Sequence, residues 1–186
     1  MAAPPARERL LRSAIDYLGA RGITELSLRE LAEALGTSHR MLIYHFGSKE
    51  GLFTEVVQAV ERSQRELWGQ LLADPELGPA QRSLRLWQGV SDPAVAPHAR
   101  LFFELYGQAL QGREPAAGLL RGDVESWLAL SEATLSEAGY DREQARTTAR
   151  LGLAVVRGLL LDLLATGQRD EVDAAFELFL SRYGPR

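Results

Sequence analysis

The sequence predicts an all-α protein of about nine helices, and three observations carry that prediction. Apolar residues recur at helical spacing almost from end to end. No segment alternates apolar and polar residues with period two. The breaks between the periodic stretches are short and rich in Gly, Pro, Ser and Asp. The 186 residues suffice for a core without disulfides or structural metals. The chain has no cysteine, which excludes a disulfide framework, a thiolate zinc site and a cysteine nucleophile.

Leu10, Leu11, Ala14, Ile15 and Leu18 place a first helix over 6–20, ended by Arg21-Gly22. Ser27-Leu28-Arg29-Glu30 is a capping box that opens a short helix to Leu35, stopped by Gly36. Ser38 caps a third helix over 39–45, and Phe46-Gly47 breaks it. Ser48 caps a fourth that runs to about Ala73, followed by a Pro/Gly linker over 74–79. Further helices are expected over 80–90, 97–111, 117–138, 142–166 and 171–183. Their breaks are Ser91-Asp92-Pro93, Gly112 to Pro115, Gly139-Tyr140-Asp141 and 166–170; Asp141 with Gln144 forms another cap.

Charge divides unevenly along the chain. Residues 1–50 hold seven basic and six acidic side chains; residues 51–186 hold fourteen and nineteen. Affinity for nucleic acid is therefore expected to be local to the N-terminal part, while the acidic remainder stays off phosphates. The opening residues lack the pattern of a secretory signal. The most apolar stretch, 151–165, is interrupted by Arg157 and Asp162 and is too short to span a bilayer. The expectation is a cytoplasmic protein with no membrane partner.

Two short helices, LRELAEAL and HRMLIYH, joined by the tight turn GTS, form a helix-turn-helix pattern. Leu28, Leu31, Ala32, Leu35, Leu42 and Phe46 are expected inside. His39, Arg40, Met41, Tyr44 and His45 form the outer face of the second helix, with Ile43 at its edge. This mix of donors, an aromatic and an apolar tip suits base edges and phosphates in a major groove. The run Thr24-x-Leu26-Ser27-Leu28-Arg29-Glu30-Leu31-Ala32, then Leu35-Gly36, then Leu42 through Leu52, resembles the DNA-binding signature of the TetR family of regulators, over about the first 55 residues. The resemblance implies a three-helix DNA-binding domain, residues 1–50, followed by a helical ligand-sensing and dimerisation domain, 51–186.

Position by position, the resemblance implies backbone contacts for Ser27 and Arg29, with Ser38 opening the recognition helix. It implies base contacts for His39, Arg40 and Met41, and phosphate contacts for Tyr44, His45 and Lys49. A cation at a helix N-terminus, where backbone N–H groups already attract phosphate, agrees with the last of these. The chain departs from the family at Ile43, where Tyr is common, and at Met41, where a small residue is common. Outside the motif, Arg29 and Lys49 would be ordinary surface charges and Tyr44 a core aromatic. His39 and His45 stand six apart, on different sides of a helix, which argues against a shared metal. Arg7, Arg9 and Arg12 fit either a basic arm reaching DNA or a solvated helix face. No cofactor or metal is expected.

The remaining two-thirds suggests sensing and dimerisation. Phe102, Phe103 and Tyr106, with Arg100 and Glu104 beside them and Trp87 and Trp127 on neighbouring helices, are candidates for a small-molecule pocket with apolar walls and a few polar groups. For any single aromatic, core packing is the ordinary role; a polar partner such as Arg100 or Glu104 facing the same space would favour a pocket. In the last two helices, Val156, Leu160, Leu163, Val172, Phe176, Phe179, Leu180 and Tyr183 are expected at a homodimer interface. The apolar surround of the 142–166 helix needs covering on all sides, and Gly152 and Gly158 permit close approach. The expected partners are double-stranded operator DNA, a small-molecule effector and a second copy. No G-x-S-x-G, phosphate-cradling glycine loop or metal-spaced His/Glu set suggests an enzyme. The alternatives are a carrier of apolar molecules and a regulator answering to a protein partner.

Overall fold

The computed structural model describes residues 5–21, 27–113 and 116–184. Among them every regular element is helical: α1 Ala6–Arg21, α2 Leu28–Ala34, α3 His39–Phe46, α4 Lys49–Ala73, α5 Pro79–Val90, α6 Ala96–Leu110, α7 Ala116–Glu137, α8 Arg142–Thr166 and α9 Arg169–Tyr183, with one 3-10 turn at Pro93–Val95. The boundaries follow the caps read from the sequence. Ser27 accepts from the Glu30 backbone N–H while the Glu30 carboxylate accepts from the Ser27 N–H. Ser38 accepts from Met41 N–H, Ser48 from Gly51 N–H and Asp141 from Gln144 N–H. Gly36, Gly47, Gly139 and Gly167 take positive φ where helices or turns end. Gly22, Thr24, Leu26 and Pro115 lie outside the described residues.

Packing divides the chain into two units: one holds 1–62 with 93–120, the other 63–92 with 121–186. The first unit is built on a continuous core of Ala14, Leu18, Leu28, Leu31, Leu42, Leu52, Val56, Leu101 and Leu105. In it α6 lies on α1. The His98 imidazole N–H donates to the Ile15 carbonyl at 3.1 Å, and Gly19 supplies the space. A Cβ at Gly19 would stand 2.5 Å from the His98 ring.

The second unit has two cores. Leu128, Leu135, Ala145 and Ala149 join α7 to α8. Trp87, Val172 and Phe176, ringed by Leu84, Val155, Leu159 and Leu163, join α5, α8 and α9. A carboxylate ties the same unit together: Asp123, all but buried, accepts from Arg65 at 2.9 Å and from Arg157 at 2.7 Å. This explains the charge that interrupts α8. Arg157 reaches a buried partner, and removing Asp123 would take away the carboxylate that Arg65 and Arg157 share. No helix among the described residues is long and apolar enough to cross a membrane.

The junction between α3 and α4 has one strict requirement. A Cβ on Gly51 would stand 2.2 Å from the Phe46 carbonyl oxygen, a backbone atom that cannot step aside. Gly69, also inside α4, has open space around its Cα. Gly51→Ala is expected to destabilise the fold by roughly 2 kcal/mol through overpacking. Gly69→Ala is expected to stabilise it by about 0.5–1 kcal/mol through helix propensity. Urea unfolding of the two variants beside the wild type measures both, and equal effects would contradict this geometry.

Candidate nucleic-acid interface

α2 and α3 are joined by Leu35–Ser38, a turn made possible by the left-handed backbone of Gly36, φ +65°. Leu28, Leu31 and Ala32 of α2 and Leu42 and Phe46 of α3 are buried, and Leu35 is half-buried against them. The opposite face of α3 is left open. His39 and Arg40 are exposed, Met41 and Ile43 are 39% and 38% exposed, and Tyr44 is 77% exposed. Ser27, Arg29 and Ser38 are exposed beside them. Lys49 is half-buried as the first residue of α4, its ammonium 5.3 Å from the centre of the Phe53 ring.

His45 departs from the expectation. It is half-buried, and its Nε2 is enclosed without a hydrogen-bond partner, between Tyr44 and Phe46. Its position one turn after the buried Leu42 turns the ring inward, away from the outer face of α3. Arg7 departs as well. It folds back onto the fold: Nε donates to the His45 carbonyl at 3.3 Å, the guanidinium pairs with Glu55, and it lies over the Phe46 ring. Arg7 thus holds the C-terminal end of α3 against α1 and α4 and acts as a positioning residue. Sequence reasoning missed this, because its partners stand 38 and 48 residues away. Arg12 is occupied more loosely, by Glu8 one turn before it.

The residues expected at a pocket fall into separate groups. Phe102, Phe103 and Tyr106 come together in the first unit, with ring centres 5.3 and 5.8 Å from Phe102. Arg100 and Glu104 are exposed on α6. Trp87 belongs to the second unit and is a core residue: it stacks on Phe176 at 4.8 Å, and its indole N–H donates to Asp173 at 2.7 Å. Trp127 lies under the Arg65 guanidinium.

The expected interface residues also divide. Val172 and Phe176, each 2% exposed, are covered by their own chain. Trp87 of α5 already fills the space in front of them, so they are core and not interface. Val156, Leu160, Leu163, Phe179 and Leu180 are half-buried around that core, and Tyr183 is exposed. The open apolar residues are others: Leu151, Leu161 and Leu178.

Residues 10–56 match the family model for bacterial regulatory proteins of the TetR family. The TetR-family structure from Streptomyces coelicolor superposes with a TM-score of 0.71 at 26% identity, covering 98% of this chain and all of that one. Residues 10–56 thus carry the DNA-binding segment of the TetR family, and the chain as a whole shares its fold. A transcriptional regulator from Rhodococcus sp. RHA1 superposes with a TM-score of 0.78 at 21% identity over 96% of both chains, which shows the shared fold. The HTH-type transcriptional repressor NicS of Pseudomonas putida is 29% identical over 84 residues. That match spans 44% of this chain and 40% of NicS, so the chain covers less than half the length of that curated relative. The matched segment contains the whole of α2, α3 and the α3–α4 junction.

The capping box gives α2 a pH dependence. Hydrogen bonds from Ser27, with a smaller contribution from the Lys49 charge, hold the Glu30 carboxyl below its ordinary value of 4.5. A lowered carboxyl stabilises the fold above its unfolded value and loses that contribution as pH falls through the native one. Titration of Glu30 by NMR is expected to give a midpoint below 4.5, moving back up in Ser27→Ala. An unshifted midpoint in the wild type would show that the box is not formed.

Proposed function

We propose that the protein is a transcriptional regulator that binds a near-palindromic operator as a homodimer and is released by a small-molecule effector. One observation carries this reading. α3 buries only Leu42, Phe46 and part of His45, and leaves His39, Arg40, Met41, Ile43 and Tyr44 open beside Lys49. A helix of eight residues whose open face carries donors, an aromatic and an apolar tip is suited to a major groove. In this reading His39, Arg40 and Met41 meet base edges; Ser27, Arg29, Ser38, Tyr44 and Lys49 meet the backbone. A carrier of apolar molecules would leave that face without a use.

The dimer is supported by an uncovered apolar stripe. Leu151, Ala154, Gly158, Leu161 and Ala165 are exposed on α8 at spacings of three and four, and Leu178 is exposed on α9. This is the pattern of a helix that packs against another helix. Two-fold pairing there would present two copies of α3 to a two-fold site. Regulation is supported by the seating of α6 on α1. With His98 bonded to Ile15 and no Cβ at Gly19, displacement of α6 carries α1 with it. An effector that favours one α6 position over the other would change operator affinity by their difference. Residues 1–50 serve as the DNA-binding part and 51–186 as the sensing and dimerising part of a cytoplasmic protein. The kinship with a repressor favours repression as the sign.

Selection of binders from a random duplex pool is expected to recover a near-palindrome with half-sites about one helical turn apart, ~34 Å, or somewhat more. On that duplex, Arg40→Ala should relax preference at one position of each half-site. Lys49→Ala should weaken all duplexes and lower the salt slope by about 1 per head. Unselective enrichment, or unchanged binding in both variants, would sink the assignment. Separately, Leu161→Arg is expected to convert the dimer to monomer in sedimentation while the helical circular dichroism is retained. A dimer that survives this change would place the interface elsewhere.

A further inference from the structure

We infer that the effector is recognised by Gln64 and Trp68 on the second half of α4, and that it is a flat molecule with a carboxamide-type edge, an N–H donor beside a C=O acceptor. This rests on the reading of the protein as an effector-controlled regulator. The starting point is a pair of buried polar atoms with no partner: the Gln64 side-chain oxygen and the Trp68 indole N–H. Trp68 is 5% exposed. The two residues stand one turn apart and share a face of the helix, yet they do not bond to each other. A buried indole N–H ordinarily finds an acceptor, and Trp87 in the same unit does so at Asp173. Two adjacent orphans of opposite kind, one acceptor and one donor, call for a partner that answers both.

Their neighbours supply the rest of a site. Arg65, between them on α4, reaches Asp123 of α7, which also holds Arg157 of α8. The Arg65 guanidinium lies over the Trp127 ring at 5.9 Å. Indole rings with a few fixed polar groups are the composition of a small-molecule site. The Arg65–Asp123–Arg157 bridge anchors three helices there. An amide edge donates to the Gln64 oxygen and accepts from the Trp68 N–H with one group. A carboxylate answers the Trp68 N–H but leaves the Gln64 oxygen, as it is placed, without a donor, and a hydrocarbon answers neither. Both orphan atoms are enclosed without a ligand, so the molecule binds an opened arrangement and gains two hydrogen bonds that the closed one lacks. That difference between states is what an effector requires. Trp127 is the one residue shared with the pocket expected from the sequence.

The test uses full-length protein with benzamide and 2-pyridone as probes, and benzoate and toluene as mismatched controls. Melting temperature and tryptophan fluorescence are followed at roughly millimolar concentrations, the range for fragments of this size. Benzamide and 2-pyridone are expected to give saturable shifts and the controls none. Trp68→Phe and Gln64→Leu should each weaken binding by about tenfold, the loss of one hydrogen bond. Gln64→Leu keeps the side-chain bulk and removes an orphan atom, so it is expected to fold at least as stably as the wild type; Trp68→Phe also leaves a small void, so its binding is read only where its melting transition stays cooperative. The same preparation is assayed for binding to its selected duplex. Duplex binding with no saturable amide shift, or with unchanged shifts in both variants, overturns this inference and leaves the regulator standing. Absence of duplex binding in every condition sinks the regulator itself.

Discussion

A helix of eight residues is too short to hold itself together in water, and α3 is such a helix. Everything that presents it follows from that constraint. Ser38 closes its N-terminus, Gly47 ends it, and the Phe46 carbonyl lies so near Gly51 that α4 starts flush against it. Arg7 takes the His45 carbonyl at the other end. Leu42 and Phe46 anchor it in a core supplied by α1, the start of α4 and α6. The scaffold supplies the stability, so the outward residues are released from any packing duty. That is why a Met, an Ile and a Tyr stand open to water on one short helix.

Longer helices face the opposite difficulty. α8 has 25 residues and apolar side chains on nearly every side, so no single neighbour can cover it. α7 covers one part, α5 and α9 another, and Arg157 crosses to the buried Asp123. The strip of Leu151, Ala154, Gly158, Leu161 and Ala165 is what remains uncovered. Gly158 has no atom near the place of its missing Cβ, which leaves room for close approach by another helix.

Features that depend on neighbours in the chain were legible in the sequence, and features that depend on distant partners were not. Capping residues, positive-φ glycines and helical periods act within four residues, and the starts of α2, α3, α4 and α8 were read from them. The motif face of α3 was legible for the same reason, except at His45, whose ring faces inward. Arg7 with Glu55, Asp123 with Arg157 and Trp87 with Asp173 pair across 34 to 86 residues, and nothing local announces them. The interface expectation failed at Val172 and Phe176 for a related reason. A stripe of apolar residues says that a face is buried but not which surface buries it. There, α5 of the same chain arrives first.

The charge balance of the first fifty residues bears on how the proposed dimer holds DNA. Seven basic side chains in the first fifty residues stand against six acidic ones, and Arg7 and Arg12 are engaged by Glu55 and Glu8. In the proposed function one head therefore offers few cations for phosphates, and its affinity alone is expected to be low at physiological salt. Pairing two heads changes the arithmetic without a new contact to DNA: once one is seated, the other binds at a high effective concentration. In the proposed assembly, operator binding thus depends on the α8 stripe being covered. By the same linkage, an operator holding both heads strengthens the dimer by the factor that the dimer lends to DNA affinity. A regulator built this way needs no large motion for release. A change in the separation or angle of the heads is enough, because each head by itself is too weakly charged to stay.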